Sequence, residues 1–304
     1  MTGSLRRLAA RYAELLWVLA AAAVGLLAPG PGRGLARHDA VNIVLAVLVF
    51  SAALTVPARI GERLKRNGLR LLAVTVASSA VVVVIAWAVS HLVVAGPLRF
   101  GVLAVGVAPV EIATLGVAPL GGGDSLASGV MLIGSTLLTA LFAGPVMALL
   151  AEGTSVRVGN LVVTLLVVVV APFVVGLAIR ARIGDGIRAR ASTAAAVAVT
   201  VLVWLVASQA RVSDAYVGVV LALGVLIVSS AAAGVVIGRL VDGSSSRSVL
   251  FATSMRDFAI ASGIAAAAFG AAAAAPLGLY GIMVMLWGTG VAGTLQHRPV
   301  GQSM

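Results

Sequence analysis

Residues 251–263, FATSMRDFAIASG, place Arg256 and Asp257 side by side in a segment that is otherwise apolar. The whole chain is 61% hydrophobic and 10% charged, with a mean hydropathy of +1.14. Soluble domains carry about 25% charged residues, whereas uncharged segments of about 20 residues can cross a hydrocarbon core of roughly 30 Å. The sequence therefore predicts an all-α polytopic membrane protein, because a spanning segment in lipid must satisfy its own backbone hydrogen bonds.

Turn-forming residues divide the chain into ten candidate spans. Gly, Pro and Ser are concentrated at residues 29–32, 121–123, 184–186 and 243–246, which we interpret as turns. We predict a single membrane transporter domain over residues 1–304, made of two inverted five-helix repeats, 1–150 and 151–304, because five spans per half reverse the orientation of the second half. The predicted spans are residues 13–29, 40–57, 69–93, 98–117, 125–150, 158–179, 191–209, 215–240, 247–270 and 275–295.

The basic residues responsible for the net charge of +11 lie mainly in the loops of this ten-span arrangement. With both termini in the cytoplasm, 15 of the 21 Lys and Arg residues fall in inside segments, five in outside loops and one, Arg256, in a span. An excess on one side is typical of the positive-inside rule. The charge thus indicates a lipid bilayer as partner and no nucleic acid. The use of 20 Arg against one Lys suggests a GC-rich genome, so we predict the plasma (inner) membrane of a bacterium.

Three charged residues remain inside the predicted spans: Glu111 in span four, and Arg256 and Asp257 in span nine. A charge at the centre of a membrane helix costs roughly 2.5–3.5 kcal/mol, and such residues are candidate functional residues. At about 1.5 Å per residue, Glu111 lies about 18 Å from the outer face and Arg256 about 14 Å from the inner face. Both then share one level, where an ion pair between them would offset much of the insertion cost. Whether they bind a substrate or only hold helices together stays open.

Both charged spans contain residues that favour a break. Pro109 lies two residues before Glu111 and has no backbone N–H to donate. The small hydroxyl residues Thr253 and Ser254 precede Arg256. Discontinuous helices expose backbone groups, from which transporters build ion and substrate sites near the midplane. We therefore predict broken helices at spans four and nine.

Three segments resemble the bile acid:sodium symporter family. They are VFSAALTVPARIGERLKR (49–66), VVVVAPFVVGLAIRAR (167–182) and GVAPVEIATLGVAPLGGGDSLASGVMLIGSTLLT (106–139). In the last segment, Pro109, Ala113, Ser128, Ser135 and Thr136 are typical of the family, and the span-nine stretch aligns through Met255. The chain is similar to a divergent bacterial member. The resemblance implies a core domain, a smaller panel domain, and two broken helices that cross where spans four and nine meet.

The resemblance also implies two sodium ions beside this crossing, but the ligand positions differ. Ser128 is kept, and Thr114 stands in place of a serine, so these two are the candidate residual sodium ligands. The remaining positions hold Leu115 for asparagine, Leu132 for threonine, Ala252 for glutamate, Arg256 for glutamine and Asp257 for asparagine, while Ser78 or Ser79 falls near another glutamine. Leucine and alanine offer no oxygen, so we predict that the standard two-sodium arrangement is absent and assign no metal site.

We predict a secondary active transporter of a small organic anion that works by alternating access. No cofactor is expected; a proton held by Glu111 or Asp257, one relocated sodium ion, or no ion remain as coupling alternatives. An arsenite or oxyanion efflux carrier and a non-transporting scaffold or receptor are the other hypotheses. An enzyme is not predicted, because neither a nucleophile–base pair nor a metal-ligand motif occurs. The predicted binding residues are Glu111, Arg256, Asp257, Thr114, Ser128, Thr253, Met255, Pro109, Ser135, Thr136 and Ser78.

Overall fold

The computed structural model describes residues 16–36, 39–56, 60–93, 96–151, 158–209, 214–241 and 243–296, and these form helices, short connections and one isolated β-bridge. The helices are α1 (Leu16–Leu27), α2 (Pro29–Ala36), α3 (Ala40–Thr55), α4 (Ile60–Ser90), α5 (Gly96–Val107), α6 (Thr114–Leu120), α7 (Ser125–Leu150), α8 (Val158–Leu165), α9 (Ala171–Ile179), α10 (Asp185–Gln209), α11 (Ala215–Gly238), α12 (Ser244–Ser254), α13 (Phe258–Phe269), α14 (Ala271–Ala274) and α15 (Leu277–Gln296). A π-helical turn, Leu166–Val170, joins α8 to α9, and a 3₁₀ turn, Arg180–Arg182, follows α9.

Six helical segments are long and apolar enough to cross a membrane, and a seventh is added if α1 and α2 together form one bent span. The six are Asn67–Ser90, Ser125–Leu150, Gly159–Arg182, Asp185–Gln209, Ala215–Gly238 and Ala271–Gln296. They coincide with predicted spans three, five, six, seven, eight and ten. The all-α, multi-pass character is therefore confirmed, whereas the ten-helix inverted repeat and its two halves stay predictions.

Spans four and nine are interrupted, as the sequence predicts. The first break, residues 108–113, lies between α5 and α6, and the second, residues 255–257, lies between α12 and α13. Pro109 explains the first break because it removes a backbone donor and its ring collides with the preceding turn. At the second break Asp257 is extended, and its side chain accepts the Ile260 N–H at 2.8 Å, which starts α13 with a capping bond.

The first span differs from the prediction. Helices α1 and α2 meet at an angle of 92° near Ala28, and residues 29–32 are helical, so their assignment to a turn was wrong. Prolines at the start of a helix are tolerated because the first N–H groups have no partner within the helix. Helix α2 is anchored to α10: Gly32 packs against Ser208, and Arg33 Nε donates to the Ser208 carbonyl at 2.8 Å.

The helices pack in two groups. In one, α10 packs against α2 and α3, and α3 against α9; in the other, α7 packs against α4, α5, α6 and α12, and α11 against α4 and α12. Helices α13 and α15 contact members of both groups. The second break, at the start of α13, therefore lies next to the boundary between the two groups.

Candidate functional site

The two breaks meet through their backbones. Val110 and Arg256 form an isolated antiparallel bridge. The Glu111 N–H donates to the Met255 carbonyl, and the Asp257 N–H donates to the Pro109 carbonyl, both at 2.9 Å. These bonds supply partners for backbone groups that the breaks release from the helices. Glu111 and Arg256 therefore lie next to one another on the two breaks, whereas their depth in a membrane stays a prediction.

Side chains of helix α7 form hydrogen bonds with the backbone at the first break. Ser135 Oγ accepts the Val110 N–H at 3.0 Å and donates to the Leu132 carbonyl. Thr139 Oγ1 donates to the Val107 carbonyl at 2.8 Å, at the end of α5. The hydrogen bond of Thr136 stays within α7. Sequence reasoning found Ser135 but missed Thr139, which lies four residues further on and thus on the same face of the helix.

We expect Ser135→Ala to destabilise the first break. The substitution leaves the buried Val110 N–H without its acceptor, and an unsatisfied buried donor costs about 1–3 kcal/mol. The melting temperature of the protein purified in detergent should fall. Thr193→Ala is the matched control, because Thr193 is exposed and bonds only within α10. Equal melting temperatures of the two variants would contradict the anchoring role of Ser135.

The three charged side chains are almost fully buried around the bridge. Glu111 is 5% exposed, Arg256 2% and Asp257 1%. Nε and Nη1 of Arg256 are buried without a hydrogen-bond partner. For none of the three does the structure describe an ion pair within 4.0 Å, so the contact between Glu111 and Arg256 that the sequence analysis left open is not an ion pair. The guanidinium thus keeps two donors available.

The two carboxylates instead share the N-terminus of α13. Asp257 accepts the Ile260 N–H at 2.8 Å, and Glu111 Oε2 accepts the Phe258 N–H at 3.4 Å. The positive end of a helix dipole stabilises negative charge at this position. The two carboxylates also act electrostatically on one another.

Tyr280 of α15 completes the buried polar cluster. The Arg256 N–H donates to the Tyr280 hydroxyl at 3.3 Å. Tyr280 is 1% exposed, so its hydroxyl is buried together with the three charged side chains. Sequence reasoning missed Tyr280, although a buried tyrosine hydroxyl usually has a hydrogen-bond partner and could have been sought on that ground.

Met255, in the second break, and Thr253, near the end of α12, contact two different helices. The Met255 thioether packs against Gly288 of α15, and Thr253 packs against Gly234 of α11. Both glycines allow a neighbouring segment to approach closely, as small residues do in membrane helices. The Thr253 hydroxyl is buried without a partner.

The candidate sodium ligands offer few free oxygens. Thr114 Oγ1 donates to the Glu111 carbonyl at 2.7 Å, whereas the Ser128 hydroxyl is buried without a partner. Leu132 and Ala252 are buried apolar side chains. The hydrogen bond of Ser78 stays within α4. Among the described residues, no group of three or more His, Cys, Asp or Glu side chains could hold a metal ion.

A second polar contact joins the turn between α6 and α7 to α12. Ser248 Oγ accepts the Asp124 N–H at 2.7 Å and donates to the Asp124 carbonyl at 2.8 Å. Arg247 Nη1 donates to the Gly121 carbonyl at 3.0 Å, beside Gly122, whose φ of 77° favours glycine. No pattern in the sequence predicts these contacts. They hold the far end of α6 against the start of α12.

One family model matches the chain. It is described as the sodium bile acid symporter family and matches residues 42–217, more than half of the 304 residues. The match includes the first break and all of α7, but it ends before the second break, so Arg256 and Asp257 lie outside it. A comparison with curated proteins found no match.

Proposed function

Because the chain belongs to the sodium bile acid symporter family, whose members are transporters, we propose that it is a secondary active transporter of a small organic anion that works by alternating access. In this proposal the protein lies in the plasma (inner) membrane with both termini in the cytoplasm. The group of helices around α3 and α10 moves against the group around α7 and α11, and the second break lies beside the boundary between them.

The observation that supports an anionic substrate is that Arg256 is buried and has hydrogen-bond donors without partners. Arg256 is 2% exposed, and two nitrogens of its guanidinium have no hydrogen-bond partner. A guanidinium stays charged at physiological pH and binds carboxylate, sulfonate or phosphate groups through paired hydrogen bonds. An anion with such a group would supply the missing acceptors. Small conformational changes at the breaks would open its path to the guanidinium.

The same residue argues against the sodium coupling for which the family is named. The resemblance places a sodium ligand at the position of Arg256, where this chain has a fixed positive charge. Leu115, Leu132 and Ala252 add no oxygen ligand. The guanidinium alone would repel a sodium ion 4 Å away by about 4 kcal/mol at an effective dielectric constant of 20, whereas Glu111 and Asp257 would attract it. Because the three apolar positions do not supply the missing ligands, we propose that transport is independent of sodium.

Uptake and counterflow in proteoliposomes test the proposed function. Proteoliposomes that contain the purified protein are loaded with one unlabelled carboxylate or sulfonate compound at a time. Entry of the same compound in labelled form is then followed. Saturable counterflow of at least one organic anion is expected. Counterflow with arsenite alone would favour an oxyanion carrier, and absence of counterflow with every compound in a folded preparation would favour a scaffold or receptor.

We expect sodium to leave the melting temperature unchanged. An ion that binds only the native state adds about 2.7 kcal/mol at 100 times its dissociation constant, which would be visible in the melting curve. The titration replaces choline by sodium at constant ionic strength, with potassium as the control cation. A saturable rise that is specific for sodium would show that Thr114, Ser128 and backbone carbonyls form a cage despite Arg256, and would contradict sodium independence.

A further inference from the structure

The buried cluster contains more negative than positive charge. With all groups ionised, Glu111, Asp257 and Arg256 carry a net charge of −1, and each is at most 5% exposed. A buried charge without a counter-charge is strongly destabilising, and more so within a membrane. The cluster therefore gains stability when one of the two carboxylates binds a proton.

The two carboxylates differ in their surroundings. Asp257 accepts a short hydrogen bond, 2.8 Å, from the Ile260 N–H and caps α13. Glu111 lies on the other break and accepts a longer bond of 3.4 Å from the Phe258 N–H. Asp257 is thus the carboxylate that its capping bond holds in place. Glu111 is the more weakly bonded carboxylate of the two.

Both residues are buried: Glu111 is 5% exposed and Asp257 1%. Asp257 also starts α13 as its capping residue, so its loss of charge would weaken a structural bond, whereas Glu111 can change its protonation state with less effect on the helix. Among the described residues, the ionisable groups around Glu111 are Asp257 and Arg256 from the second break and Tyr280 from α15.

We propose that Glu111 is a proton-binding site that couples transport of the organic anion to the proton gradient. The inference rests on the proposed function. When the site is empty, Arg256, Asp257 and a deprotonated Glu111 sum to −1. When one monovalent anion binds beside Arg256 and one proton binds to Glu111, the sum is again −1. The proton thus compensates the charge of the substrate, so that one proton and one monovalent anion cross together without net charge movement.

The test uses the anion that shows counterflow with the wild-type protein. Proteoliposomes made more alkaline inside by one pH unit are given this labelled anion outside. Electroneutral one-to-one coupling predicts accumulation of up to about tenfold, since a tenfold gradient of one solute balances a tenfold gradient of the other. In Glu111→Gln, accumulation should fall to about the external concentration, because the amide accepts the Phe258 N–H but binds no proton. The control Asp185→Asn removes an acid whose side chain is 99% exposed, and accumulation should persist.

The outcomes separate the two proposals. Wild-type counterflow without accumulation in the pH gradient overturns proton coupling alone, and so does full accumulation in Glu111→Gln. Accumulation driven by a potassium–valinomycin potential at equal pH overturns the electroneutral stoichiometry. A readout that needs no substrate is the melting temperature as a function of pH: its pH dependence should differ between the wild type and Glu111→Gln, and identical curves for these two proteins overturn the proton site even if no anion has been found.

Discussion

Replacing Arg256 by Gln together with Asp257 by Asn is expected to abolish saturable binding of the organic anion in a protein that still folds. The double substitution removes one positive and one negative charge, so the net charge of the buried cluster is unchanged. It also removes the two guanidinium nitrogens that have no partner in the structure. Loss of a buried charged contact with a ligand costs about 2 kcal/mol or more, which corresponds to a dissociation constant raised at least about 30-fold. Binding is measured by isothermal titration or by the concentration dependence of counterflow.

The single variant Arg256→Gln provides the comparison for this result. It leaves Glu111 and Asp257 buried without a positive charge nearby, and a buried charge without compensation is strongly destabilising. Its melting temperature should therefore fall well below that of the double variant. If the double variant instead binds and transports the anion like the wild type, Arg256 has only a structural role, and the hypothesis that these charges merely hold the helices together becomes the better one.

Hydrophobicity and the chemistry of proline predicted much of the fold. Spans five and six begin and end where the structure has them. The break beside Pro109 could be predicted as well, because the missing N–H of proline is a local property that is read directly from the sequence. Residues 29–32 were assigned to a turn in error, because proline and glycine, as at Pro29 and Gly30, occur both in turns and in the first turns of helices. Packing of α2 against Ser208 decides between the two, and this contact is not visible in the sequence.

The site was predicted in part. Counting residues at a constant rise predicted that Glu111 and Arg256 lie near one another, and the bridge between Val110 and Arg256 brings the two breaks together; the depth of both residues in a membrane stays a prediction. The same count does not give the direction in which a side chain points, so it left the ion pair between them open, and none within 4.0 Å is described. Tyr280 and Ser248 were missed because their contacts with Arg256 and Asp124 bring together residues 24 and 124 positions apart in the chain. Such pairings follow only from the packing of whole helices.

Restoring the residues that the resemblance places at the ligand positions is expected to create sodium binding. The five substitutions are Leu115→Asn, Leu132→Thr, Ala252→Glu, Arg256→Gln and Asp257→Asn. They add oxygen ligands and a carboxylate, and they remove the guanidinium that repels a cation. Sodium should then raise the melting temperature, by the equivalent of about 2.7 kcal/mol at 100 times its dissociation constant, whereas choline should have no effect.

A matched variant isolates the role of the arginine in this experiment. Leu115→Asn, Leu132→Thr and Ala252→Glu alone supply the same new oxygens but keep Arg256. The new glutamate is expected to accept charge-assisted hydrogen bonds from the guanidinium rather than bind sodium, because Nε and Nη1 of Arg256 have no other partner. The triple variant should therefore show no sodium effect. If it binds sodium as well as the quintuple variant does, the apolar residues and not Arg256 prevent sodium binding, and the fixed charge must be explained by the substrate alone.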